Sequence, residues 1–358
     1  MHQLTIVIVS YNVREYLAQC IESVQQAIRG LDAEIFVVDN HSKDDTVQYL
    51  QTHYPDVRVM ASNRNLGFAR ANNIAIRQSE GDYVLLLNPD TIVAPDTLRD
   101  VVSFMDVHPD AGAVGVRMLQ NNGEDARESR RGIPTPMTSF YKMSGLCDRF
   151  PKSRRFAHYY MSYLGWDEPQ EIEIVSGAFC MLRREALNKV GLLDEDFFMY
   201  GEDIDLSYRI LKGGYKNYYL PSLILHYKGE STVKSSFRYV HVFYEAMLIF
   251  MSKHFPNMSI LFSLPIKLAI FVKALLALVK MQVEKIRKSL GLFHPHIRGN
   301  KNYLICDASK QDYGEILRLL AHSDHKRVLA IYHPDKEQVI TPDGISEHVR
   351  SINEFEQF

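Results

Sequence analysis

Short apolar runs alternate with amphipathic segments along the first 90 residues of the chain. The apolar runs predict strands at 4–9, 34–38, 57–60 and 83–87. The amphipathic segments between them predict helices at 15–27 and 46–53, the second capped by Asp44 or Asp45. Strands that alternate with helices in this way indicate an α/β fold with a mostly parallel sheet flanked by helices, as in a Rossmann-like nucleotide-binding half.

Polar side chains follow three of these strands, at the point where each strand ends. The three groups are Ser10-Tyr11-Asn12, Asp39-Asn40-His41-Ser42-Lys43-Asp44 and Asn88-Pro89-Asp90. Because the carboxyl ends of parallel strands meet at the crevice where α/β sheets bind ligands, we expect a nucleotide site there. Asp oxygens suit Mg²⁺ or Mn²⁺ carrying phosphates, which makes Asp90 a candidate metal ligand. In the simpler alternative, Asp90 only caps a helix that begins near Asp96.

A glycine-containing segment, Asn63 to Phe68, follows the third strand and enters a further helix. Gly67 at the helix entry would allow a ligand to approach the backbone closely, and Arg64 or Arg70 could reach a phosphate.

The order and spacing of these motifs resemble those of inverting family 2 glycosyltransferases of the GT-A fold, especially the rhamnosyltransferase-like branch. The residues that carry the resemblance are Ser10-Tyr11-Asn12, Asp39-Asn40-x-Ser42-x-Asp44, Asn65-Leu66-Gly67-Phe68 and Asn88-Pro89-Asp90. It implies a GT-A catalytic domain over residues 1–235, with a nucleotide-sugar half at 1–118 and an acceptor half at 119–235.

The resemblance assigns donor roles to these residues. Asp39 would accept a hydrogen bond from the pyrimidine ring N–H, which uracil and thymine carry and cytosine lacks, with Tyr11 packed nearby. Asp90 would bind the metal that bridges the two phosphates, and Asn88, in place of a second Asp, would act through water or orient Asp90. The remaining donor-binding residues are Ser10, Asn12, Asn65 and Gly67.

The second half of the chain supplies a candidate catalytic base. A predicted strand at 175–182 opens with Ser176, Gly177 and Ala178, small residues that leave room for a sugar. It is followed by Glu202-Asp203-Ile204-Asp205 at the start of a helix. In the similar family the Asp of the Glu-Asp pair is the general base, so Asp203 would take the proton of the acceptor hydroxyl.

Gly177, Ala178 and Glu202 would line the acceptor site. For Glu202 and Asp205 an alternative remains open, because acidic residues in the first turn of a helix often interact only with the helix dipole.

His226 ends a predicted strand at 222–225. A solitary histidine is usually a hydrogen-bonded structural residue, but the family places a metal-binding His before a Gly-x-Ser segment, here Gly229 to Ser231. The resemblance therefore implies His226 as the second metal ligand and Lys228 as a possible diphosphate contact. The basic cluster Arg127, Arg130 and Arg131 could grip phosphate or form a solvated charge run.

Composition fits an enzyme that works in a reducing compartment. At 358 residues, 46% hydrophobic and net charge −2, the chain can bury a large core and has no bulk attraction for nucleic acid. Its four cysteines are scattered without metal or disulfide spacing, and no signal peptide precedes the first strand. We expect a cytoplasmic protein, at the inner face of the plasma membrane if it contacts lipid.

A membrane contact is suggested by residues 264–288, within a helical region at 236–290. At 100° per residue its cations fall on one half of the helix and its leucines and valines on the other. Placing the lysines at the bilayer centre would cost about 2.5–3.5 kcal/mol each, so lying on the membrane surface is favoured over spanning it. The alternative is a helix packed on the catalytic domain.

Residues 291–358 form a small α/β extension of unknown role, with strands at 302–306 and 327–332 around a helix near 313–321. It faintly resembles the nucleotide-binding-like domain of some bacterial polyprenyl-phosphate sugar transferases, but Asp307 to Lys310 lacks the glycines that pyrophosphate binding needs. A partner or regulatory module is the interpretation that remains.

Together these features predict an inverting glycosyltransferase of cell-envelope polysaccharide synthesis. The donor would be a UDP- or dTDP-sugar, dTDP-rhamnose among them, and the acceptor a glycan or a polyprenyl-linked sugar. Two alternatives stay open. A nucleotidyltransferase should carry a basic glycine-rich loop after its first strand, where this chain has Ser10-Tyr11-Asn12. A non-catalytic sugar-nucleotide-binding or scaffold protein would keep Asp39 but tolerate the loss of Asp203.

Overall fold

The computed structural model describes residues 2–227, 237–256, 282–283 and 302–355. Residues 2–119 contain β1 (Leu4–Ser10), α1 (Arg14–Ala27), β2 (Ala33–Asp39), α2 (Thr46–His53), β3 (Arg58–Ala61), α3 (Phe68–Gln78), β4 (Tyr83–Leu87), β5 (Thr91–Val93), α4 (Thr97–Val107) and β6 (Ala111–Leu119). Residues 120–227 and 237–256 contain α5 (Pro136–Met143), α6 (Leu146–Arg149), β7 (Gln170–Ile172), β8 (Phe179–Arg183), α7 (Arg184–Val190), α8 (Glu202–Lys212), β9 (Lys216–His226) and α9 (Phe237–His254). The extension contains β10 (Tyr303–Asp307), α10 (Tyr313–Ala321), β11 (Val328–His333), β12 (Gln338–Thr341), β13 (Gly344–Glu347) and α11 (Ile352–Phe355).

One central sheet contains β1 to β9, in the order β3-β2-β1-β4-β8-β6-β9-β5, with β7 paired to β9. The first four strands are parallel, as are β6 and β9, while β8, β5 and β7 join antiparallel. The register of β1 and β2 sets Ser10 opposite Asp39. The predicted α/β fold, with its parallel strand ends meeting at one edge, is confirmed.

Alternation along the strands divides the core between the two faces of this sheet. Ile6 and Ile8 of β1 pack with α1 and α4 on one face, whereas Val7 and Val9 pack with α3 and α8 on the other. Side chains on both faces are buried, which explains why the strands appear in the sequence as continuous apolar runs.

The extension forms a second sheet, in the order β10-β11-β12-β13, with β10 and β11 parallel. The predicted strand-helix-strand unit is present, and a hairpin of β12 and β13 is added to it. Its apolar face packs on the catalytic domain, where Leu317 and Ile331 share a buried cluster with Tyr16, Leu225 and Tyr227. The extension is therefore docked rather than tethered.

Several predicted boundaries shift. The strand predicted at 175–182 begins only at Phe179, because Gly177 N donates to the Asp203 side chain rather than to a neighbouring strand. Asp90 does not cap the helix near Asp96, since β5 lies between them and α4 begins at Thr97. At the start of α2, Asp44 rather than Asp45 accepts from the Thr46 N–H, at 3.2 Å.

Within the described ranges, none of the helices is both long and apolar enough to cross a membrane. The segment predicted to lie on the membrane surface, 264–288, falls outside the described residues except at 282–283, as does Lys228. The domain boundaries proposed from the sequence stay predictions.

Candidate active site

The ends of β1 and β2 bring two buried polar side chains together. Asp39 is only 2% exposed, and its Oδ2 accepts from the Ser42 N–H at 3.0 Å. Its Oδ1 and the Ser10 Oγ are buried with no hydrogen-bond partner among the residues that the structure describes. Since an unpaired buried polar atom is costly, Asp39 Oδ1 is suited to accept a hydrogen bond from a ligand N–H.

The loop after β1 is tied to the loop after β2 by side chain to backbone hydrogen bonds. Asn12, at φ 55°, accepts from the Lys43 N–H at 2.7 Å, and its own N–H donates to Ser42 Oγ at 2.9 Å. Tyr11 precedes Asn12 in this loop, and its side chain is 37% exposed. The first two motifs therefore form one rigid rim with an aromatic ring available for a ligand.

Asn40 joins the third motif to this rim. Its side chain accepts from the Leu66 N–H at 2.7 Å and donates to Asn65 Oδ1 at 3.1 Å and to the Gly67 carbonyl at 3.2 Å. Gly67 has φ 79°, and a Cβ there would lie 2.4 Å from the Phe198 carbonyl oxygen. A glycine is required because the backbone of 198 occupies the space of any side chain.

The two arginines near this motif differ in their surroundings. Arg70 pairs with Glu195 at 3.2 Å and so is already engaged. Arg64 lines a cavity of about 780 Å³ between β3 and α3, together with Ser62 and Met60. Both arginines also line a second cavity of about 410 Å³, so they differ in that Arg70 carries an ion pair and not in their access to open space.

Asn88, Asp90 and His226 converge at the pairing of β5 with β9, which sets Thr91 opposite His226. His226 Nε2 lies 3.3 Å from Asp90 Oδ1 and 3.2 Å from Asn88 Nδ2. The Tyr227 N–H donates to the Asp90 carbonyl at 3.0 Å, which joins the backbone next to His226 to that of Asp90. Asn88 thus orients the imidazole.

This donor set fits a divalent cation. A carboxylate oxygen and an imidazole nitrogen facing each other at 3.3 Å are stabilised by a positive charge between them. No group of three His, Cys, Asp or Glu side chains suited to a metal occurs among the described residues. A metal held here would therefore take its remaining ligands from water and from a bound diphosphate.

Three donors hold the Asp203 carboxylate at the start of α8. Oδ2 accepts from Arg131 Nη2 at 2.5 Å and from the Gly177 N–H at 3.1 Å, and Oδ1 accepts from the Ile204 N–H at 2.8 Å. Burial disfavours the charged form of Arg131, but Asp203 more than offsets this and leaves the arginine pKa raised. The carboxylate is therefore oriented from two sides, by the 177 backbone and by a cation.

Glu202 and Asp205, on either side of Asp203, are buried in different ways. Burial, and secondarily the negative Asp203, raise the pKa of Glu202 to about 8, and its Oε2 lacks a partner in the described chain. Asp205 accepts from Arg209 Nε at 2.7 Å and lies 2.6 Å from His254 Nε2. Asp205 is thus a structural link between α8 and α9, whereas the acceptor role of Glu202 stays a prediction.

The basic cluster matches neither interpretation drawn from the sequence. Arg130 is buried, stacks on the Trp166 ring at 3.5 Å and donates to the Gly165 carbonyl, and its burial lowers its pKa. Arg131 holds Asp203. Only Arg127 is solvated, paired with Asp148 at 2.5 Å. The spacing of three arginines could not show that the middle of this segment runs through the protein interior.

The structure also shows residues near Asp90 and His226 that the sequence analysis missed. Tyr227 Oη donates to Gln19 Oε1 at 2.9 Å, and Gln19 Nε2 lies 3.0 Å from His333 Nε2 of the extension. The Asn121 side-chain amide donates to the Tyr227 carbonyl at 3.0 Å, and the Asn121 backbone carbonyl accepts from the Leu329 N–H at 2.9 Å. No local sequence pattern marks these pairs, because their members lie on separate elements.

Residues 5–191, more than half of the chain, match the family model described as Glycosyl transferase family 2. The chain belongs to this family. This glycosyltransferase is 29% identical over 264 residues to the N-acetylglucosaminyl-diphospho-decaprenol L-rhamnosyltransferase of Mycobacterium tuberculosis, a match that covers 70% of the chain and 84% of that relative. It is 27% identical over 213 residues to the low-salt glycan biosynthesis hexosyltransferase Agl10 of Haloferax volcanii, covering 58% of the chain and 62% of that relative.

Among solved structures, the mannosyltransferase PcManGT from Pyrobaculum calidifontis in complex with GDP-Man and Mn²⁺ is 16% identical. It covers 89% of this chain and 86% of that chain, with a TM-score of 0.48. The predicted family and its enzyme class are confirmed: this is a family 2 hexosyltransferase with the GT-A fold. Membership sets aside the nucleotidyltransferase and non-catalytic alternatives.

Proposed function

We propose that this glycosyltransferase moves a sugar, with inversion, from a UDP- or dTDP-sugar to a glycan or lipid-linked acceptor in cell-envelope polysaccharide synthesis. The observation that carries the proposal is the contact between the two halves of the site. The Asn88 N–H donates to the Ala178 carbonyl at 3.0 Å, and the neighbouring Gly177 N–H donates to Asp203. The segment that contains Asn88, assigned to the donor, is thus adjacent to the segment that contacts the proposed base Asp203.

The choice of nucleobase rests on Asp39. Its Oδ1 is buried and unpaired in the described chain, and an anionic carboxylate can only accept. Uracil and thymine supply a ring N–H at this position and cytosine does not, so UDP- and dTDP-sugars fit. Ser10 offers a second unpaired polar atom beside it, and Tyr11 offers a ring for packing.

Asp90 and His226 would hold Mg²⁺ or Mn²⁺. When bound, the cation supplies positive charge that stabilises the leaving diphosphate. Asn88 keeps the imidazole of His226 directed at Asp90, and the Tyr227 N–H keeps the backbone of 90 in place. Lys228 would contact the diphosphate, and Asn65 and Gly67 would keep the donor loop in shape.

Asp203 would act as the base. Inversion needs one carboxylate to accept the proton of the acceptor hydroxyl while that oxygen attacks the sugar. Arg131 and the Gly177 N–H leave Asp203 partly exposed but fixed in direction. Gly177 and Ala178 would border the acceptor sugar, and Glu202, buried beneath, would shape this wall.

The acceptor class is supported by the rhamnosyltransferase relative, whose name describes a sugar attached to a diphospho-decaprenol. By analogy dTDP-rhamnose is the donor we would test first. A lipid-linked acceptor would place the enzyme at the inner face of the plasma membrane, where the segment 264–288 would lie on the surface.

Turnover with a panel of UDP- and dTDP-sugars tests the proposal, together with two variants of opposite effect. Asp203→Asn should abolish transfer and leave donor affinity nearly unchanged, because a base acts mainly in the transition state. Asp39→Ala should weaken nucleotide binding first. Transfer at the wild-type rate by Asp203→Asn, or equal affinity for CDP and UDP, would contradict the assignments.

A further inference from the structure

A surface of exposed apolar side chains lies on the segment between β6 and β8. Its members are Met137 at 56% exposure, Phe140 at 57%, Met143 at 66% and Phe150 at 44%, here called the apolar patch. At 100° per residue the first three fall within about 120° of one face of α5. Helices of a water-facing surface normally carry charges there, so this face is unusual.

Ring contacts connect two members of the patch through the interior of the segment. Phe140 lies 6.0 Å from Tyr141, Tyr141 lies 5.0 Å from Phe156, and Phe156 lies 5.4 Å from Phe150, measured between ring centroids. Because Tyr141 is buried, this chain of rings packs Phe140 of α5 and Phe150 after α6 against a common base.

Exposed cations lie beside one end of the patch. Arg149, Lys152, Arg154 and Arg155 flank Phe150 in the sequence and are all exposed, and Arg155 donates to Tyr141 Oη at 3.2 Å within the aromatic chain. Between residues 136 and 156 the acidic residue is Asp148, which is paired with Arg127. A chain of net charge −2 thus carries a local excess of positive charge next to an apolar surface.

The patch lies on the segment that contains Arg131, the residue that orients the proposed base Asp203. Gly132, next to Arg131, donates its N–H to the Tyr159 carbonyl at 3.2 Å, and Lys142 of α5 lies 3.9 Å from the centre of the Tyr159 ring. The helix that carries most of the patch is therefore connected, through Tyr159, to the backbone next to Arg131, which holds Asp203.

We propose that the apolar patch rests on an anionic lipid surface. Met and Phe side chains would enter the boundary between headgroups and acyl chains while the neighbouring cations meet lipid phosphates. The inference extends the proposed lipid-linked acceptor, since it positions the catalytic segment beside the membrane, and it is independent of residues 264–288. Aromatic rings alone would also suit a glycan, but the exposed thioethers of Met137 and Met143, on a segment with exposed cations, favour a lipid surface.

Vesicle binding by the full chain tests this. Phosphatidylcholine vesicles with and without phosphatidylglycerol are compared by co-sedimentation. Phe140→Asp with Met143→Asp should weaken binding to the anionic vesicles by about tenfold or more, and Arg149→Glu with Lys152→Glu should do the same and reduce the salt sensitivity.

Matched controls exist on other surfaces. Val107→Asp with Leu319→Asp changes two exposed apolar residues, and Arg29→Glu with Arg99→Glu makes the same change in net charge. Neither control should alter binding by more than about twofold. Equal loss in controls and patch variants, or no vesicle binding by the wild type, overturns the proposal.

A local probe separates the patch from any other membrane contact. The four native cysteines are buried, so Phe140→Cys can be labelled with a polarity-sensitive dye. Its emission should shift to the blue on anionic vesicles, whereas the same dye at Val107→Cys should not shift. No shift at 140 in vesicle-bound protein refutes the patch, whatever else binds lipid.

The same variants distinguish this inference from the proposed function. Phe140→Asp with Met143→Asp should keep wild-type transfer to a soluble acceptor analogue. Vesicle binding without any transfer would contradict the proposed function and leave the patch in place. If instead the variants change only self-association, the surface is an interface between copies and the lipid proposal is wrong.

Discussion

Arg131 Nη2 lies 2.5 Å from Asp203 Oδ2, although 72 residues separate the two in the sequence. Both side chains are largely shielded from solvent, and the same carboxylate oxygen also accepts from the Gly177 N–H. The arginine therefore acts as a positioning residue for the proposed base.

Replacing Arg131 with Met should lower kcat by about tenfold or more while the KM for the donor changes little, because the base loses its orientation and not its contact with the nucleotide. Breaking this buried ion pair should also lower the free energy of unfolding, measured by urea titration, by at most roughly 3–5 kcal/mol. Arg131→Lys should restore part of the rate.

Arg127→Met is the matched control for Arg131, since its ion pair with Asp148 is exposed and contributes about 0–1 kcal/mol. A kcat for Arg131→Met equal to that of the control would show that Asp203 needs no cation, and the positioning role would be withdrawn.

Nucleotide binding should depend on divalent metal through Asp90 and His226. Calorimetry of UDP or dTDP with Mn²⁺ should give an affinity at least about tenfold above that with chelator, and Asp90→Asn or His226→Ala should remove most of the difference. Asp56→Asn, an exposed acid elsewhere, serves as control. Equal affinities with Mn²⁺ and chelator would remove the metal assignment.

Glu202 should make the stability of the protein fall as pH rises. Its folded pKa is about 8 against an ordinary 4.5, so between these values the folded state keeps a proton that the unfolded state has lost. The contribution of Glu202 to folding stability is fully present below pH 4.5 and is lost progressively up to about pH 8. Glu202→Gln, which cannot ionise, should show a Tm that changes less between pH 5 and 8. If the Tm of the wild type and that of Glu202→Gln change with pH in the same way, Glu202 is already charged in the folded protein over this pH range.

His333 should produce the opposite pH dependence at the interface with the extension. Burial lowers its pKa below the usual 6.5, so the folded state binds fewer protons than the unfolded state in mild acid. Stability should therefore fall as pH drops below about 6.5. His333→Gln can still hydrogen-bond to Gln19 and should lose less stability between pH 7.5 and 5.5 in urea titrations. The exposed His322→Gln should behave as wild type.

The sequence was a good guide wherever chemistry follows a strand. Buried parallel strands appear as unbroken apolar runs, and their ends meet at one edge, so the sequence could predict the pairing of the strands that end at Ser10 and Asp39, while a crevice shared with Asp90 stays a prediction. Asn40 and Gly67 show why the loops between them keep their shape, which the motifs alone did not explain.

Contacts between distant segments could not be predicted. Arg131 looked like one of three equivalent arginines, because burial depends on the path of the segment and not on local composition. Likewise, Ser176, Gly177 and Ala178 precede an apolar run and were included in its predicted strand, but the Gly177 N–H donates to Asp203. Asp205 and Glu202 could be told apart only after α9 and His254 were in place.

The docked extension also has a consequence for synthesis of the protein. Tyr16 Oη donates to the Thr341 carbonyl at 2.7 Å across 325 residues, and Ile92, Leu225 and Tyr227 are covered by the same domain. A growing chain therefore exposes this apolar face on the ribosome until residues 302–341 have emerged. The strand that carries His226 is among the last parts of the catalytic domain to be enclosed, so chaperone binding to nascent chains should concentrate there.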